Sequence, residues 1–118
     1  KIFISKLHKK ITMLTNNELA SAIAAELDIK TEMGREIIPI ALECVKLFDQ
    51  KQQDYGSKNI AISGKLGLAV RLTDKVCRMH NLLKKEEAEI NHESLEDSFQ
   101  DTANYGMIGM MLTRNIWK

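Results

Sequence analysis

The residues best suited to chemistry gather near the C-terminus, in NHESLEDSFQDTANYGMIGMMLTRNIWK at residues 91–118. Read as a helix, Glu93, Glu96, Asp97, Gln100, Asp101 and Asn104 fall at i, i+3, i+4, i+7, i+8 and i+11 and share one face. Carboxylates one turn apart repel, at a cost of roughly a few tenths of a kcal/mol for a pair such as Asp97 and Asp101. Upstream, Arg71, Asp74, Lys75 and Arg78 occupy i, i+3, i+4 and i+7 of another helical pattern. Two readings are open. In one, both faces are solvated and their surface ion pairs contribute about 0–1 kcal/mol each. In the other, they close a polar pocket in which Asp74, Asp97 and Asp101 hold a hard divalent cation such as Mg²⁺, while Lys and Arg neutralise a phosphate chain. The pocket reading further implies that Asp101→Asn, by relieving repulsion, leaves the empty protein no less stable.

Two other features bear on the pocket. Glu43 is a lone acid midway along an otherwise apolar helix; if buried it requires a partner, and the same pocket would supply one. KQQDYGSKN brings together Lys51, Asp54, Tyr55, Gly56, Lys58 and Asn59. It offers hydrogen-bonding groups, a ring for stacking on a base, and a glycine that lets backbone approach a ligand. The same composition also suits an ordinary turn.

The elements that must position these residues are helical. LTNNEL carries Thr15 as an N-cap with Glu18 as its capping-box partner, which predicts a helix over about 16–28. A second helix is predicted from near Glu36 to about Gln53, with Pro39 in or near its first turn. Its apolar face, Ile37 to Phe48, is wide enough for a central position in a bundle or an oligomer interface. DYGSKNIAISGKLG has three glycines and no helical period, so it reads as a connection of about ten residues. A third helix follows over about 65–84, then a charged connection, KKEEAEINHE, and a fourth helix over about 93–114. The last two, joined by a short loop, should pack antiparallel.

Composition sets outer limits. A chain of 118 residues with 44% hydrophobic content, 5% aromatic content and one proline predicts one mostly α domain. Seventeen basic against sixteen acidic residues give a net charge of +1, so no overall field draws the chain to DNA or an anionic membrane. Cys44 and Cys77 form no C-x-x-C and are expected in the core. No apolar run reaches the length of a membrane span or a signal-peptide core, and a cytoplasmic location is expected. Residues 1–12, KIFISKLHKKIT, are given no functional role.

ALECVKLFDQKQQDYG, GLAVRLTDKVCRMHNLL and ESLEDSFQDTANYGMIGMML carry E-C-x-x-L-F, K-x-x-D-Y-G, R-L-x-D-K-x-x-R and E-D-x-x-x-D-x-x-N-Y, in that order. Over roughly residues 36–118 the chain thereby resembles the nucleotide modification associated domain of the first type. That family, largely of phages and bacteria, has been grouped with the MazG-like all-α nucleoside triphosphate pyrophosphohydrolases. The resemblance implies a four-helix core assembled into dimers or tetramers, which binds nucleotides and, in active relatives, uses Mg²⁺ to split the bond between the α and β phosphates. Carried onto this sequence, it implies Glu43, Asp74, Asp97 and Asp101 as metal ligands, with Lys75 completing the catalytic group. It also implies Lys51, Asp54, Tyr55, Asn59, Arg71, Arg78, Asn104 and Tyr105 as substrate contacts. Active MazG-like enzymes typically show E-x-x-E on one helix and E-x-x-D on the next. Here the third helix has only Asp74 among Arg71, Lys75 and Arg78, a balance that favours holding a phosphate directly. A non-catalytic nucleotide-binding module is therefore the alternative to the hydrolase. The first 35 residues lie outside this match; they are similar to the helical hairpin that opens bacterial histone-like DNA-bending proteins, but lack a β-arm and are read as a packing element.

Overall fold

The computed structural model describes residues 14–85 and 92–118. Its elements are four helices: α1 (Asn16–Glu26), α2 (Glu32–Tyr55), α3 (Lys58–Leu83) and α4 (His92–Thr113), with no strand among the described residues. The chain divides into two compact units, Lys1–Lys46 and Leu47–Lys118, and α2 contributes residues to both. KIFISKLHKKIT and the centre of the charged connection lie outside the described residues.

In the first unit, α1 begins where its cap predicts: the Glu18 amide donates to Thr15 Oγ1 at 3.1 Å, and the Thr15 hydroxyl donates to the Glu18 carboxylate at 3.1 Å. It ends earlier than expected, because Asp28 adopts a left-handed conformation (φ 55°). The amides of Asp28 and Ile29 then turn back to the carbonyls of Ala25 and Ala24, the pattern that satisfies the last carbonyls of a helix. That turn brings Ile29 against a small core of Ala20, Ala24 and Ile38, joined by Ile23 and Leu42.

Helix α2 starts four residues before the predicted Glu36. Thr31 is the reason: its hydroxyl accepts from the Gly34 amide at 2.9 Å and caps the helix there. Pro39 consequently lies inside α2, not in its first turn. Without an N–H it leaves the Arg35 carbonyl without its helical donor, a cost of about 3 kcal/mol in an isolated helix, against which Ile38 is buried on α1. Glu43 is exposed and needs no buried partner, while Cys44 is buried.

In the second unit, α3 and α4 pack antiparallel, as their short connection implies; Lys75 of α3 meets Asp101 of α4, and Leu68 meets Gly109. A Cβ at Gly109 would sit 3.2 Å from Leu68, so the missing side chain lets the helices approach. The core is Ile60, Leu68 and Ile108, with Phe48, Tyr105, Leu112 and Trp117 packed on it. Cys77, expected in the core, is exposed on α3.

The expected connection over 54–67 is mostly helical instead. Tyr55 ends α2, Gly56 turns at φ 68°, and α3 begins at Lys58. Burial of Ile60 in the core outweighs the weak helical pattern of SKNIAIS. A kink at Gly64 (φ 59°, ψ −154°) then separates the first six residues of α3 from the helix that starts near the predicted residue 65. Asn115, at φ 57°, reverses the chain after α4, and Trp117 folds back so that Nε1 donates to the Ser57 carbonyl at 3.0 Å. Its ring meets Phe48 edge-on, with centroids 6.1 Å apart.

The backbone at Gly64 belongs to a region open essentially to glycine alone, and a Cβ there would meet nothing within 4 Å, so the penalty of substitution is conformational. Gly64→Ala is expected to destabilise by about 1–3 kcal/mol. Gly106 lies inside α4 with open space around it, and Gly106→Ala is expected to stabilise by about 0.5–1 kcal/mol. Urea unfolding midpoints of the two variants check both signs.

Candidate functional site

Three helix faces of the second unit enclose a cavity of about 330 Å³. From α2 come Phe48, Lys51, Gln52 and Tyr55, at i, i+3, i+4 and i+7 of one stripe. From α4 come Asp101, Asn104, Tyr105 and Ile108, with the same spacing. From α3 come Asn59 and Ile60 before the kink and Arg71 and Lys75 after it, and Gly56 closes the α2–α3 turn. That turn is fixed from several sides: Gln52 Nε2 donates to Ser57 Oγ at 3.0 Å, and the Ser57 carbonyl accepts from both the Ala61 amide and Trp117.

Asp101 organises the electrostatics. Lys51 Nζ lies 2.8 Å from its Oδ1 and Lys75 Nζ lies 2.8 Å from its Oδ2, so each carboxylate oxygen serves one ammonium group. Burial raises the carboxyl pKa, but the two lysine hydrogen bonds and the two positive charges together outweigh it, holding Asp101 below its ordinary 3.8. Arg71 is half-buried in the same wall and, among the described residues, makes no ion pair or side-chain hydrogen bond. Asn104 is buried beside it at 6% exposure, whereas Tyr55 is open at 71%.

Of the residues singled out in the sequence, Lys51, Tyr55, Asn59, Arg71, Lys75, Asp101, Asn104 and Tyr105 line this one cavity. The others do not line it. Asp54 is exposed and accepts from Gln50 Nε2 at 3.4 Å; Arg78 donates to the Ser94 hydroxyl; Asp74 and Asp97 are exposed on their helices. Glu43 is solvent-exposed on the first unit, and the Glu93 side chain lies outside the described residues. Asp74, although next to Lys75 in the chain, is exposed on α3 and does not line the cavity. The acidic stripe therefore divides: Asp101 and Asn104 turn inward, Glu96 and Asp97 face solvent.

Of the four expected metal ligands, Asp101 lines the cavity and Glu43, Asp74 and Asp97 do not. Among the described residues no group of three His, Cys, Asp or Glu comes close enough to hold a metal ion. Among the described residues Asp101 is the one carboxylate that lines the cavity, and each of its oxygens accepts from a lysine. The lining combines cationic Lys51, Arg71 and Lys75 with the phenols of Tyr55 and Tyr105, the amides of Gln52, Asn59 and Asn104, and apolar Phe48, Ile60 and Ile108. Phe48, Gln52, Ile60 and Ile108 are lining residues that the sequence reading does not single out. The stripes through Lys51 and Tyr55 and through Asp101 and Asn104 were the available signal for most of them.

The family described as nucleotide modification associated domain 1 matches residues 51–112, more than half of the 118-residue chain. The chain belongs to that family. Every lining residue except Phe48 falls inside the nucleotide modification associated domain, so the family match and the cavity coincide. No curated protein and no solved structure matches the chain. No helix among the described residues is long and apolar enough to cross a membrane.

The double pairing reverses the stability expected of Asp101→Asn. Losing the carboxylate leaves two ammonium groups facing each other, so the variant should be less stable by about 1 kcal/mol. A carboxyl whose folded pKa is depressed contributes fully above its unfolded value, and the contribution is lost as pH falls through the folded value. The gap between parent and variant should hold constant from neutral pH down to the ordinary carboxyl value of 3.8 and close only on further acidification. Chemical denaturation across that range measures it.

Proposed function

We propose that the chain binds a nucleotide in this cavity. Its phosphate rests on Arg71, with Lys51 and Lys75 beside it. Its base lies against Tyr55 and Tyr105, and Gln52, Asn59 and Asn104 meet its polar edge or sugar. One observation carries the reading: a half-buried guanidinium faces a cavity of aromatic and amide groups with no acid partner among the described residues. A guanidinium removed from water favours an anion, and a phosphate fits its planar fork. The family description supports a nucleotide as the source of that anion. A cytoplasmic nucleotide pool is the setting this implies.

Placement among MazG-like pyrophosphohydrolases would add Mg²⁺-dependent cleavage to a nucleoside monophosphate and pyrophosphate, with Asp74, Asp97 and Asp101 on the metal. The exposure of Asp74 and Asp97 and the engagement of Asp101 favour binding without cleavage. Exposed Ile37, Ile40 and Val45 on α2 support the expected homo-oligomer, so binding is best measured on a species defined by sedimentation.

Thermal-shift screening of a nucleotide panel, with and without Mg²⁺, tests the reading. A ligand at 100 times its dissociation constant should add about 2.7 kcal/mol of stability. Arg71→Gln should remove most of that gain, and the parent nucleoside without phosphate should give little of it. A panel in which no nucleotide raises the melting temperature would end the proposal. Release of pyrophosphate in the Mg²⁺ arm would establish the hydrolase.

A further inference from the structure

We infer that the cavity selects nucleoside monophosphates over triphosphates and takes them without a divalent cation. The inference rests on the nucleotide-binding reading and deepens it. It follows from how charge is distributed on the cavity wall. Lys51, Arg71 and Lys75 stand against Asp101, which leaves the lining at +2. Asp101 is also the most enclosed member of its cluster: its side chain is 17% exposed, against 28% for Lys75 and 46% for Lys51. The negative charge is thus a built-in part of the wall, and a ligand anion must enter beside it.

A terminal phosphate monoester carries about −1.5 to −2 at neutral pH, which matches that lining. Arg71 and Lys75 are one turn apart on α3 and line the same cavity, so one helix offers it a guanidinium fork and an ammonium group. Three free phosphate oxygens suit such a set: two on the fork and one on the ammonium. A triphosphate chain brings roughly twice the charge and would lay the surplus against the Asp101 carboxylate. Proteins commonly offset such a surplus with Mg²⁺ held by one or two carboxylates and the phosphates themselves. Here the only carboxylate in the lining among the described residues has an ammonium group on each oxygen, so Mg²⁺ bound to it would sit against two positive charges.

The aromatic and amide residues are compatible with this single-phosphate geometry. Tyr105 and Asn104 lie on α4 beyond Asp101, and Tyr55 and Asn59 flank the α2–α3 turn. Base and sugar therefore have a place close to the cationic cluster, as a nucleoside carrying one phosphate requires.

Isothermal titration calorimetry of the full chain with the mono-, di- and triphosphates of the four common deoxyribonucleosides and ribonucleosides, first in EDTA and then in Mg²⁺, tests the inference. For the best-binding base, the monophosphate should bind about tenfold or more tightly than the triphosphate in EDTA, and Mg²⁺ should leave its affinity unchanged. Asp101→Asn raises the lining to +3 and should shrink the preference severalfold, while Arg71→Gln should weaken all three forms. A triphosphate that binds more tightly than its monophosphate in EDTA, or a monophosphate that needs Mg²⁺, overturns the selectivity and leaves nucleotide binding standing. Failure of every nucleotide to bind overturns both.

Discussion

A carboxylate shared by two ammonium groups is the constraint around which the second unit is arranged. Asp101 comes from the middle of α4, Lys75 from the middle of α3, and Lys51 from the last turns of α2, so one side chain ties three helices at a single point. Partial burial disfavours the charge on Asp101, and the two lysines outweigh that cost and hold its carboxyl below the ordinary value. The arrangement has a second effect. By engaging Lys51 and Lys75, Asp101 lowers the positive charge of the cavity without touching Arg71, whose guanidinium faces the cavity from the same wall. The packing of the second unit and the proposed ligand preference thus depend on the same residue.

The helices can meet there because of features far from the charges. Gly109 lets α4 approach Leu68, and the apolar set of Ile60, Leu68 and Ile108 forms beneath the cavity. Asn115 turns the end of the chain back, and Trp117 reaches the Ser57 carbonyl at the α2–α3 junction, packing edge-on against Phe48. The indole therefore braces the turn that supplies Gly56 and Asn59 to the rim. A cavity with mobile walls would lose affinity to the ordering of its own side chains, and this bracing reduces that cost.

Much of this was legible in the sequence, and the failures have physical causes. The capping pair at Thr15 and Glu18 and the antiparallel α3 and α4 follow from local spacing and a short connection, whereas spacing alone leaves open whether the acidic face meets a pocket or solvent, and it sets inward Asp101 and solvent-facing Asp97 on one face. Lys51 was not legible as the partner of Asp101, because fifty positions separate them and nothing in a helical period connects residues on different helices. Asp74 looked like a member of the Arg71, Lys75, Arg78 face because i, i+3, i+4 and i+7 span a broad arc; a wall built from Arg71 and Lys75 leaves Asp74 on its far edge. The helix before Gly64 was hidden for a related reason. Its residues have little helical pattern of their own, and Ile60 is drawn into order by a core whose other members lie far along the chain. The early start of α2 was readable in Thr31 but was obscured by Pro39, which points to a boundary that the chain does not use.

The coupling among Asp101, Lys51 and Lys75 can be measured directly by a double-mutant cycle on unfolding free energy, pairing Asp101→Asn with Lys75→Met and, separately, with Lys51→Met. Shared ionic contacts predict that each double variant loses less than the sum of its singles, with an interaction energy of about 1 kcal/mol for the more enclosed Lys75 and a smaller one for Lys51. Additivity to within about 0.3 kcal/mol for both pairs would mean that the lysines and Asp101 act independently, and would contradict the arrangement on which the cavity's charge and the proposed ligand preference depend.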